Sequence, residues 1–107
     1  MAVQSDPKFE AGLMAWLAGA QAKIDEYYRT RFPTLERPIL SLERGRRYIR
    51  VVRADSSSRS VFAFIDANGD VLKPEGWKKP ALHARGNIFD ASGGLAGVGP
   101  YGPAYLR

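Results

Sequence analysis

Apolar residues recur every three or four positions between residues 6 and 32. Phe9, Leu13, Trp16, Leu17, Ala20, Ile24, Tyr27 and Tyr28 form one broad stripe, and Glu10, Gln21, Lys23, Asp25 and Glu26 fall away from it. That spacing predicts a single amphipathic helix over 6–32 whose aromatic stripe is core. Asp6 suits the cap, Pro7 the first helical position and Glu10 the first turns, and Pro33 ends the run. Gly12 and Gly19 lower helix propensity and allow another element to approach closely.

After Pro38 the period changes to two. Ile39–Glu43 and Arg46–Ala54 read as strands about an Arg44-Gly45 turn, and Ser60–Asp66 as a third after the polar loop Asp55-Ser56-Ser57-Ser58. Asn68-Gly69 marks a tight hairpin, from which Val71–Lys73 returns as a short fourth strand. Regular alternation puts Ile49 and Val51 on one face with Arg47 and Arg53, and Tyr48, Arg50 and Val52 on the other. In the third strand it sets Phe62 and Phe64 against Val61, Ala63 and Ile65. Both faces are therefore apolar near the sheet centre. One suits the helix, and the other needs the C-terminal segment, a dimer partner or a ligand. A bulge would exchange the faces.

Beyond Pro74 the pattern turns irregular, with a helical turn expected at Ala81–Arg85 and a glycine-rich strap over the sheet that ends with Tyr105-Leu106. The expected architecture is a single α+β domain, 1–107. Its N-terminal helix packs on a three- to four-stranded antiparallel sheet within 39–73, followed by an irregular C-terminal strap over 74–107.

Charge sharpens this picture. Six arginines (Arg44, Arg46, Arg47, Arg50, Arg53, Arg59) lie in sixteen residues with one acid, Asp55, so this stretch carries the +5 of the whole chain. Arginine forks match phosphate oxygens and stack on rings. A second basic group, Lys73, Lys78, Lys79 and Arg85, surrounds Trp77 and His83. Cations interleaved with aromatics are what single-strand binders use, a stacked base being worth roughly 1–3 kcal/mol. The expected interface places Arg46, Arg47, Arg50, Arg53, Arg59, Lys78, Lys79 and Arg85 on phosphates, with Tyr48 and Trp77 stacking on bases. The blander readings are edge protection by the arginines and a core lid for Trp77. No helix-turn-helix, zinc-finger or RNA-recognition signature points to sequence-specific duplex reading.

Catalysis has little to build on. The chain has no cysteine and one histidine, which removes thiol nucleophiles and His/Cys metal clusters. Asp66–Asp70 starts like a calcium loop but has Val71 where glycine belongs and Trp77 where a bidentate glutamate belongs. Asp66, Asp70 and Lys73 approach a metal-dependent nuclease pattern with the lysine one residue too far. The glycine run 92–100 lacks a Gly-Lys-Ser/Thr ending, and Pro100 blocks a following helix. No catalytic residue, metal or cofactor is expected. Neither a signal peptide nor a membrane-spanning run is read from the sequence, and a cytoplasmic location is expected.

Arg47-Tyr48-Ile49-Arg50-Val51-Val52, Ser60–Asp66, Gly69–Pro74, Trp77–Ala81, His83–Phe89, Gly99–Gly102 and Tyr105-Leu106-Arg107 resemble small basic proteins encoded by tailed bacteriophages. The likeness covers roughly residues 46–107 and leaves out the N-terminal helix. It implies a phage origin, the host cytoplasm as location, and an accessory role in replication or recombination. It equally fits an inhibitor that binds an acidic host protein, and it assigns no site residue. From the residues and the resemblance together, the expected function is non-catalytic, sequence-tolerant binding of nucleic acid, preferably single-stranded DNA. The alternative partner is an acidic host protein, and the two-faced sheet adds a homodimer as a further expectation.

Overall fold

The computed structural model describes residues 7–103, the Leu82 side chain excepted. The Asp6 cap and the closing Tyr105-Leu106 lie outside the described residues. Helix α1 runs Pro7–Arg31 and buries Phe9, Leu13, Trp16, Ala20 and Ile24, the stripe its spacing predicted. Arg29 and Arg31 in its last turn complement the negative end of the helix dipole.

Five strands follow in a meander: β1 Ile39–Arg44, β2 Tyr48–Ala54, β3 Arg59–Asp66, β4 Asp70–Pro74 and β5 Pro80–Asn87. All neighbours are antiparallel, in spatial order β1-β2-β3-β4-β5. Two short strands, β6 Val98–Gly99 and β7 Gly102–Pro103, make a separate hairpin. The fold is α+β as expected, with one more strand in the main sheet. The helical turn expected at Ala81–Arg85 is β5 instead. Its register against β4 is irregular, and Pro80 occupies its first position, where a ladder donor is dispensable.

A β-bulge decides which residues face the helix. From Tyr48↔Asp66 to Val51↔Ala63 the β2–β3 register is regular, but Val52 pairs with Val61, so Phe62 is the extra residue. Phe62 therefore turns to the same side as Ala63 and Ile65. Its ring meets Trp16 edge-on at 6.2 Å, whereas Phe64 meets Tyr48 on the opposite face at 5.8 Å. This corrects the regular alternation, which set Phe62 beside Phe64. The bulge also carries Arg59 and Val61 to the face of Arg50 and Val52.

The C-terminal strap covers the helix side, not the opposite face. Trp16 Nε1 donates to the Gly94 carbonyl at 3.1 Å, and Lys23 Nζ donates to the carbonyls of Leu95 and Val98 at 2.9 and 2.8 Å. Val98 joins the core formed by α1 with Ile49, Val51, Phe62, Ala63, Ile65 and Val71. On the far face Val52, Phe64 and Leu72 are 0%, 2% and 6% exposed, so this small second core is buried within the one chain.

Candidate nucleic-acid interface

The far face of β1 and β2 and the end of the β4–β5 hairpin enclose a groove of about 570 Å³. Glu43, Arg44, Arg46, Arg47, Tyr48, Arg50, Phe64, Lys78 and Lys79 contribute to its lining. Hairpin registers bring them together. The turn after β1 presents Arg46 and Arg47, and β2 alternation then aims Tyr48 and Arg50 to the same side. The β4–β5 hairpin folds back so that the Trp77 carbonyl accepts a hydrogen bond from Arg50 Nε at 2.9 Å, which delivers Lys78 and Lys79 to the opposite wall.

Six cations face one carboxylate in this groove, and they are not equally available. Arg44 is held by both oxygens of Glu10 on α1, at 2.7 and 2.8 Å. Glu10 thereby raises the Arg44 pKa above its ordinary value. Arg50 and Arg59 share Glu43, each at 2.7 Å. Hydrogen bonds from Arg50 and then Arg59 hold the Glu43 carboxyl below the usual carboxylate range. Lys79 is 3.5 Å from Glu75. Arg46, Arg47 and Lys78 have no acidic partner among the described residues. An exposed cation without a counter-charge is the cheapest to bring to a phosphate, because no internal pair must be broken.

Of the expected residues, Arg46, Arg47, Tyr48, Arg50, Lys78 and Lys79 line the groove, and Arg59 and Trp77 adjoin it through Arg50. Trp77 is 39% exposed, but the guanidiniums of Arg50 and Arg59 lie over its ring, 4.8 and 5.4 Å from the centroid. Its ring is thus engaged within the chain, whereas Tyr48 lines the groove itself, half-buried and edge-on to Phe64.

Two expected residues lie elsewhere. Arg53 shares the helix face of β2, donates to the Tyr28 hydroxyl at 3.0 Å and covers the Tyr101 ring at 5.4 Å. It cannot reach the groove through the sheet. Arg85 is on the edge strand β5 and hydrogen-bonds the His83 carbonyl.

Glu43 lines the site without having been singled out by sequence, and Arg44, named in the basic run, was not placed at the interface. Counting the register outward from the Arg44-Gly45 turn would have set Glu43 opposite Arg50. A larger depression, about 770 Å³, lies at the C-terminal end of α1. Asp25, Glu26 and Glu36 line it with Arg29 and Arg37, a mixture that does not suit a polyanion. Among the described residues no group of three or more His, Asp or Glu could hold a metal ion, and no helix is long and apolar enough to cross a membrane.

Residues 8–96 match the model of a family of unknown function, DUF7717, and the chain belongs to that family. The match takes in both α1 and the five-stranded sheet, so the helix outside the phage likeness is part of the family unit. No curated protein and no solved structure matches the chain.

Proposed function

We propose that this protein binds single-stranded nucleic acid without catalysis and with little sequence preference, along the groove on the far face of the sheet. The observation that carries the reading is the cluster of Arg46, Arg47 and Lys78, exposed and without acidic partners among the described residues, beside the half-buried Tyr48. The cations track a phosphate backbone, and the tyrosine ring offers a stacking surface that every base can use. A groove of about 570 Å³ lined by a ring suits one strand better than a rigid duplex. The resemblance to phage proteins adds replication or recombination as the setting.

Anisotropy of a labelled oligothymidylate, titrated at low and moderate salt, tests this. With three or four cations engaged, log affinity should fall linearly with log salt at a slope of about −2 to −3. No binding at low salt would overturn the proposal and direct the search to an acidic host protein. A duplex binding more tightly than the single strand would overturn the single-strand preference.

A further inference from the structure

The groove ends at a site that already holds an anion of the protein's own. One Glu43 oxygen is 2.7 Å from Arg50 Nη1, and the other is 2.7 Å from Arg59 Nη2. Both guanidiniums lie over the Trp77 indole, and the Trp77 carbonyl fixes Arg50 Nε. The bulge at Phe62 is what turns Arg59 to this face. Two guanidiniums steadied on one ring and converging on a pair of oxygens form a fork that a phosphodiester also satisfies. Both ion pairs are partly solvent-exposed. Exposed pairs add little net stability, so a phosphate can compete for the arginines.

We propose that Arg50 and Arg59, braced on Trp77, form a phosphate subsite of the groove, with Glu43 as its resident counter-ion, displaced when a nucleic-acid backbone enters. The inference rests on the nucleic-acid reading for the identity of the phosphate donor. Glu43 thereby tunes affinity: it cancels one of the subsite's two positive charges when the groove is empty and opposes occupancy by any weak anion.

The test compares Glu43→Gln with Asp25→Asn, an acid paired with Arg37 at the C-terminal end of α1, away from the groove. Two probes are used, labelled oligothymidylate and inorganic pyrophosphate. Pyrophosphate is followed by Trp77 emission, since Trp16 is 1% exposed and gives a steady background. Removing one negative charge beside the phosphate should tighten oligothymidylate binding about three- to tenfold for Glu43→Gln, whereas Asp25→Asn should stay within about twofold of the parent. Glu43→Gln should also respond to less pyrophosphate than the parent, and Arg59→Ala should lose that response. Equal affinities for the parent and Glu43→Gln, or an equal gain from Asp25→Asn, would overturn the subsite. A pyrophosphate response in Glu43→Gln with no oligothymidylate binding would keep the subsite and overturn the nucleic-acid reading. Silence to both probes would overturn both.

Discussion

Replacing Phe62 with alanine tests the bulge on which the assignment of faces depends. Phe62 is 1% exposed, packs edge-on against Trp16 and sits in the core between α1 and the sheet. Truncating a buried phenylalanine costs about 3–5 kcal/mol through lost burial and the cavity left behind. For a chain of this length the unfolding entropy near the midpoint converts each kcal/mol to roughly 4.4 °C, so the midpoint should fall by about 13–22 °C. Phe64→Ala should cost a similar amount, because Phe64 is 2% exposed. The spectroscopic consequences differ. Phe62→Ala should shift emission from Trp16, whereas Phe64→Ala should leave Trp16 undisturbed and loosen Tyr48 at the groove. Thermal melts by circular dichroism, paired with tryptophan emission in a Trp77→Phe background, report both quantities. A small loss of about 1 kcal/mol for Phe62→Ala, or a Trp16 shift seen only with Phe64→Ala, would refute the bulge and return Arg59 to the helix face.

Two further outcomes test the strap and its loop. Gly102 has φ +119° and an added Cβ would lie 2.7 Å from the Phe62 carbonyl oxygen, so Gly102→Ala should cost at least about 1–3 kcal/mol from backbone strain, read by denaturant unfolding; an unchanged midpoint would contradict the placement of β7. Asp90 accepts hydrogen bonds from the amides of Gly94, Ser92 and Asn87 and from the Ser92 hydroxyl, which lower its pKa from 3.8 to about 2. Because the folded value is the depressed one, its stabilisation is complete above the unfolded value and is lost as pH falls from about 4 to about 2. The midpoint difference between the parent and Asp90→Asn should therefore shrink across that window, and a difference that stays constant would refute the role.

The helix and the first three hairpin strands were legible because each carried a clean period: Phe9 to Ile24 at helical spacing, and Ile49, Val51 and Ile65 at strand spacing. Two features were not. β5 contains Pro80 and Gly86, and its sequence, Pro-Ala-Leu-His-Ala-Arg-Gly-Asn, lacks β-branched alternation. It is a strand because β4 offers it an edge, a tertiary cause with no local signal. The bulge is likewise set by packing, since Val61-Phe62-Ala63-Phe64 reads as a regular strand until Trp16 draws Phe62 across. That one residue brings Arg59 to the face of Arg50 and Trp77, while Arg53 lies on the helix side by the plain alternation of β2. The basic character of 44–59 was plain, but which arginines are already neutralised depended on Glu10 and Glu43, one of them on a distant helix.

In the proposed function, Arg46, Arg47 and Lys78, which have no acidic partner among the described residues, meet nucleic-acid phosphates in the far-face groove. The most direct test is the salt dependence of oligothymidylate binding for the parent and for the combined Arg46→Ala, Arg47→Ala and Lys78→Ala variant. These side chains make no ion pair among the described residues, so the variant's thermal midpoint should stay close to the parent's. The account predicts that the slope collapses from about −2 to −3 toward −0.7 or less in magnitude, with affinity lost in proportion. A folded variant that binds with the parent's affinity and slope would contradict it.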